Sequence, residues 1–271
     1  MLSKLFKYEI KDTVRSFSIL FAVVFLLGII STISYFSKIS FFNVTSSVLL
    51  IIASIALPVV TLVMIIIRYY KNMFGNEGYL MFTLPVKPQQ LLISKAVTSV
   101  VWMILAGIAA VAALLLGLYY LGVVDTSLLK EIWGEISKYN LDKFVLGLIP
   151  ILLLSTVWLI CQIFFSITLS NVRPFSNMGA AGAFVIFIVV YIAGSILNSI
   201  FAILAPISIT ISDMGVKLGT TNMVAYMIDS FKGRLPSQIV VGLGGYLFVI
   251  IAASVLFYWN GRLLNRKVSI R

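Results

Sequence analysis

The chain has 271 residues, of which 61% are hydrophobic and only 11% charged, with a mean hydropathy of +1.11. Globular chains run at roughly 45–50% apolar and about 25% charged residues, and a single soluble core of this size cannot hide so much apolar side chain. An ordinary soluble domain is excluded, disorder is excluded by the same hydrophobicity, and the net charge of +11 must be read with a bilayer in view.

The first element in chain order is an amphipathic helix over 1–16. At 100° per residue Lys4, Lys7, Lys11 and Arg15 fall within about 80° of one another. Leu2, Phe6, Ile10 and Phe17 lie on the other side, with Glu9 interrupting the flank. Such a helix is expected to lie in the interface, its apolar stripe among acyl chains and its cations on lipid phosphates. The basic start and apolar run imitate a signal peptide. The run is too long, however, no small-residue cleavage site follows, and five more apolar runs come after it.

A bilayer crossing needs about 20 apolar residues. Six runs qualify, at 17–35, 47–67, 96–122, 144–169, 179–204 and 238–258, and none contains Lys, Arg, Asp or Glu. The expected fold is all-α integral membrane, one transmembrane domain over 1–271 with six transmembrane helices. The termini and even-numbered connections carry 13 Lys and Arg residues against 7 on the other side, and three acids against six. The positive-inside rule then places both termini in the cytoplasm. So distributed, the charge is a topology signal and a headgroup contact, with no nucleic-acid footprint.

Connection 68–95 is the long cytoplasmic segment. Gly75 and Gly78 permit tight turns, and Pro85 and Pro88 break regular structure before the third span. Tyr79, Leu80, Met81 and Phe82 beside Glu77 make an apolar, aromatic surface that a soluble partner is expected to cover. On the opposite side, 123–143 and 205–237 are extended extracellular segments. Leu128–Phe144 reads as a surface helix with Leu128, Leu129, Ile132, Trp133, Ile136 and Tyr139 on one face. The second segment is too apolar for disorder, with Ile207, Ile209, Ile211, Met223, Tyr226, Met227 and Phe231, and it is read with the first as capping an outer vestibule. Asn43-Val44-Thr45 matches the glycosylation acceptor pattern, a short pattern that arises readily by chance.

The residue inventory narrows the chemistry. The chain has no histidine and one cysteine, Cys161, which excludes histidine metal sites, histidine-based triads and an intrachain disulfide. Cys161 sits in an apolar run and reads as a small hydrophobe. No GxxxxGK[ST] phosphate loop occurs, so nucleotide is not expected on this chain. Charge-free spans leave no carboxylate relay for ion coupling, and no nucleophile–base set is available, so enzymatic activity is not expected.

The polar residues that remain in the spans cluster by face. Tyr191, Ser195 and Asn198 repeat at i, i+4, i+7 in the fifth span, and Ser155, Gln162 and Ser166 share a face of the fourth. Ser54 and Thr61 flank Pro58, which is expected to kink the second span. Pro58, Thr61, Tyr191, Ser195 and Asn198 are candidates to line a pathway; interhelical hydrogen bonding is the competing reading. Gly179-Ala180-Ala181-Gly182-Ala183 allows close backbone approach.

Residues Glu77-Gly78-Tyr79-Leu80-Met81-Phe82-Thr83-Leu84-Pro85-Val86, with Ser94-Lys95 opening the third span, resemble the permease subunits of type-2 bacterial ABC exporters. Among these, the chain is most similar to the membrane subunits of exporters for amphipathic peptides such as phenol-soluble modulins. The resemblance extends in layout to the whole chain, although the outer segments are longer than a minimal member needs. It implies a coupling helix within 72–84, so that Asn76, Glu77, Gly78, Tyr79, Met81 and Phe82 dock a separate ATPase subunit that holds ATP and magnesium. It also implies two permease copies with two ATPase copies, the second and fifth spans facing the partner permease, a bacterial plasma-membrane location, and an amphipathic peptide or lipid-like substrate. The alternative is a membrane scaffold or sensor that docks a cytosolic partner through the same loop without transporting anything.

Overall fold

The computed structural model describes residues 2–75, 88–138, 142–172, 175, 179–205, 207–212, 215–220, 223–224, 228, 232 and 239–266. These form seven helices: α1 (Leu2–Phe36), α2 (Ser40–Phe74), α3 (Pro88–Tyr120), α4 (Thr126–Lys138), α5 (Asp142–Ser170), α6 (Gly179–Leu204) and α7 (Gly244–Arg266). Strands β1 (Ser208–Ser212), β2 (Gly215–Gly219) and β3 (Ile239–Gly242) lie between α6 and α7. All helices but α4 are long and apolar enough to cross a membrane. The chain divides into two compact units, within residues 1–130 and within residues 131–269.

In the first unit α1, α2 and α3 pack on one another. The core of α2 follows a heptad, with Ser47, Ser54 and Thr61 seven residues apart and Leu50 and Leu57 between them, all buried. On α3, Ser99, Ala106 and Ala113 repeat at the same spacing and are also buried. Lipid tails are as apolar as leucine, so helices in a bilayer gain little from hydrophobicity and much from close van der Waals packing of small residues. Gly117 shows the fit, since a Cβ there would stand 2.7 Å from Ile51 Cγ1 and 3.3 Å from the Ser47 carbonyl oxygen. The same contact sets α2 antiparallel to α3. Core hydroxyls close on their own helices: Ser54 Oγ donates to Ile51 O at 2.7 Å, Thr61 Oγ1 to Leu57 O at 2.8 Å and Ser99 Oγ to Lys95 O at 2.8 Å. α2 continues as helix on both sides of Pro58.

In the second unit α5, α6 and α7 pack on one another. Glycines again mark the contacts, against side chains and backbone alike. A Cβ at Gly194 of α6 would lie 2.9 Å from both Gln162 Nε2 and Trp158 Cζ2 of α5. At the start of α7, a Cβ on Gly244 would meet Phe201 O at 2.4 Å and Ala205 Cβ at 2.3 Å. Phe201 and Phe248 stack across the same contact at 5.1 Å.

The structure departs from the sequence reading at several edges. The first 16 residues are no separate interfacial helix, because α1 runs unbroken from Leu2 to Phe36. Phe17 of its expected lipid-facing stripe is buried, as is Thr13 beside it, with Phe17 stacked on Trp102 of α3 at 4.7 Å. α2 and α3 overrun the expected spans by several residues into the charged connection, and Pro88 is the first residue of α3, where its missing N–H is harmless. The surface helix expected over Leu128–Phe144 stops at Lys138, and Phe144 belongs to α5. Residues 208–212, 215–219 and 239–242 are a local exception to the helices: β1 pairs antiparallel with β2 and with β3, in the order β2-β1-β3. The sixth span, expected over 238–258, gives its first residues to β3, so α7 begins at Gly244.

Candidate functional site

The two ends of the first unit are built differently. At one end α1 and α3 bring Thr32, Tyr35, Tyr119 and Tyr120 together. Thr32 Oγ1 lies 2.8 Å from Tyr120 Oη, the Tyr35 and Tyr120 rings are 5.0 Å apart, and Asn43 Nδ2 of α2 donates to Tyr120 O at 3.0 Å. Amphipathic aromatics of this kind mark the level of lipid headgroups.

At the other end, all three helices contribute to a charge cluster. Glu9 of α1 accepts from Arg68 Nε of α2 at 3.3 Å and from Lys95 Nζ of α3 at 3.1 and 3.2 Å. Arg68 also pairs with Asp12 one turn along α1. Among the described residues, two anions and two cations make the cluster formally neutral. Its members differ sharply in burial: the Lys95 side chain is 3% exposed and Glu9 10%, whereas Asp12 is 71% exposed. A buried ammonium is costly unless a carboxylate neutralises it, and among the described residues Glu9 is the carboxylate that does so. One turn deeper, Thr13 Oγ1 accepts from Trp102 Nε1 at 3.0 Å and can itself donate to Ile10 O at 2.8 Å or Glu9 O at 2.9 Å. Phe17 and Phe21 pack on the same indole. Along α1, Glu9 and Tyr35 are 26 residues apart, about 39 Å at 1.5 Å per residue, which is close to the full thickness of a bilayer with its interfaces.

The charge cluster lies at the ends of α2 and α3 that the connection over 75–87 joins. Its two cations stand on either side of that connection, and both reach α1. The sequence-predicted docking residues Asn76, Glu77, Gly78, Tyr79, Met81 and Phe82 fall outside the described residues. The approach to them is described: Tyr69, Asn72, Met73 and Phe74 are buried, and Gly75 closes α2 by donating to Tyr70 O and Lys71 O.

The candidate pathway residues do not share one environment. Pro58 is half-buried and Thr61 wholly buried, both in the first unit. In the second, Tyr191 and Ser195 are exposed, whereas Asn198 turns its Oδ1 into the contact with α7, where a Cβ on Gly245 would lie 2.6 Å away. On α5, Ser155 is exposed, while Gln162 and Ser166 are buried. Both polar atoms of Gln162 and the Oδ1 atoms of Asn198 and Asn260 have no hydrogen-bond partner among the described residues. Nor do three His, Cys, Asp or Glu side chains gather there as a metal site.

Sequence reasoning missed the charge cluster. Its signal was Glu9, the one acid on the non-basic side of an otherwise basic helix, together with Arg68 and Lys95 at the edges of two apolar runs. Compared with known proteins, the chain matches no family model, no curated protein and no solved structure.

Proposed function

We propose that this chain is the transmembrane permease subunit of an ATP-driven exporter in a bacterial plasma membrane, with both termini cytoplasmic. The observation that carries the reading is the charge cluster. Arg68 and Lys95 flank the connection over 75–87, and both bond to Glu9. A push delivered to that connection by a soluble ATPase would move α2 and α3 together and take α1 with them. Ion pairs suit this role because they fix register between helices without filling the apolar core. The energy source must be external on this reading, since no phosphate loop is written in the chain and the apolar runs carry no ionisable relay.

The substrate class follows from the same inventory. Apolar walls, scattered hydroxyls and amides, aromatics and methionines adapt to amphipathic shapes and cannot strip water from a hydrophilic ion. Amphipathic helical peptides or lipid-like molecules are the proposed cargo, carried by two permease copies working with two ATPase copies that hold the nucleotide and magnesium. The test is co-purification. Tagged full-length protein co-expressed with an ABC ATPase subunit of the same bacterium should retain that ATPase, and Tyr79→Ala/Phe82→Ala should release it while the membrane protein still folds. Failure of the wild-type chain to retain any ATPase subunit would contradict the proposal.

A further inference from the structure

α1 changes character along a single face. At 100° per residue Lys4, Lys7, Lys11 and Arg15 occupy the same 80° sector as Ser18, Ala22, Phe25 and Ile29 higher on the helix. All four cations are exposed. The four residues above them open onto a groove of about 680 Å³ between α1, α2 and α3. Phe21, Phe25 and Gly28 form one side of it, Leu50 its floor, and Ala109 and Ala113 the other side. The groove exists because the residues that would fill it are small: a Cβ placed on Gly28 meets nothing within 4 Å.

Along α1 the groove runs from Ser18 to Thr32, about 21 Å at 1.5 Å per residue. That is somewhat more than the depth of one leaflet, about 15 Å of a 30 Å hydrocarbon core. Its charged end is level with the Glu9–Lys95 pair and one turn from the Trp102 indole. The nearby anions do not compete for these cations. Glu9 is engaged by Lys95 and Arg68, Asp12 pairs with Arg68, and both project from other sectors of the helix.

The geometry points to a binding site for one anionic phospholipid, its acyl chain in the groove and its phosphate on Lys11 and Arg15. The charge complementarity selects an anionic headgroup, and the apolar channel continuing from it on the same face selects a chain attached to that headgroup. The site stands on the apolar spans and the basic face of α1 alone, independently of the exporter reading.

The experiment is native mass spectrometry of the full-length protein, titrated with dioleoyl phosphatidylglycerol or dioleoyl phosphatidylcholine. Wild type should retain one phosphatidylglycerol in clear preference to phosphatidylcholine. Each basic group near an anionic headgroup is worth roughly a fivefold change in binding. Lys11→Gln/Arg15→Gln should therefore weaken phosphatidylglycerol by about twenty-five-fold and leave phosphatidylcholine unchanged. Gly28→Leu fills the groove and should weaken both lipids alike without lowering the melting temperature. Ala112→Leu, from the facing wall, should repeat that result if Gly28→Leu fails to fold. Equal retention of the two lipids by wild type overturns the proposal. So does full phosphatidylglycerol retention in the groove-filled variants, including the case where they instead break a dimer and reveal a second copy as the occupant.

Discussion

In the first unit, nearly every buried polar side chain has an internal partner. Glu9 holds Lys95 and Arg68, Thr13 accepts from Trp102, and the core hydroxyls of α2 and α3 bond their own helices; among the described residues Ser94 Oγ is the exception. In the second unit, Gln162, Asn198 and Asn260 bury polar atoms that have no partner among the described residues. Leaving a buried polar group unsatisfied costs about 1–3 kcal/mol, and local rules are broken mainly where function is placed. On the proposed function, the first unit would act as a self-contained lever, and the unpartnered polar groups of the second would belong to the route of an amphipathic solute.

The comparison can be broken most forcefully at Glu9. Glu9→Ala leaves the Lys95 ammonium buried against Arg68, and breaking a buried pair from one side costs about 3–5 kcal/mol. Denaturant unfolding in detergent should show a loss of that size, and Glu9→Leu/Lys95→Leu should recover most of it. A loss under about 1 kcal/mol for the single variant would mean that ion pairs do not hold this unit together.

Glycine substitutions come next. Gly244→Ala drives a methyl group into the Phe201 carbonyl, and overpacking of this kind costs about 1–3 kcal/mol. Gly28→Ala meets open space, so in a helix interior it should instead stabilise by up to about 1 kcal/mol. Thermal melts of the two variants should therefore move in opposite directions.

Two side chains, the half-buried Trp102 and the buried Gln162, sharpen the contrast in sign. Trp102→Phe deletes the donor to Thr13 and should cost about 1 kcal/mol. Gln162→Leu removes two unpartnered polar atoms and should be neutral or stabilising by a similar amount. Equal losses from both would show that Gln162 is as well satisfied as Trp102. The smallest effect belongs to Asp12→Asn. That pair is largely exposed on the carboxylate side, so its loss should stay below about 1 kcal/mol and shrink further as salt is added.

How much of this was legible in the sequence follows from the physics of each signal. Hydrophobic length reports what lipid demands, so six spans could be read directly, and α6 matches its expected run from Gly179 to Leu204. Charge, by contrast, marks where hydrocarbon ends and not where a helix ends. α2 therefore runs on to Phe74, α3 starts at Pro88, and α1 absorbs the basic segment placed ahead of it. The strand β1 was latent in the alternation of Ile207, Ile209 and Ile211, a period-2 pattern, but only pairing with residues 215–219 and 239–242 makes it a strand. The charge cluster was the least legible feature. Residues 9, 12, 68 and 95 are far apart in the chain, and each is explained locally as a flank of an apolar run. Only the antiparallel packing of α2 on α3, set by small residues such as Ala106, Ala113 and Gly117, brings them to one end.

The lever reading is tested most directly by ATP hydrolysis in proteoliposomes holding the full-length chain and its co-expressed ATPase, titrated with a short amphipathic helical peptide. The account predicts that peptide raises the hydrolysis rate, and that Tyr79→Ala/Phe82→Ala abolishes the rise without unfolding the membrane protein. It also predicts that Asn198→Leu changes which peptides stimulate. Hydrolysis that ignores every such peptide and responds instead to a small hydrophilic solute, or that is stimulated equally in the Tyr79→Ala/Phe82→Ala variant, would contradict it.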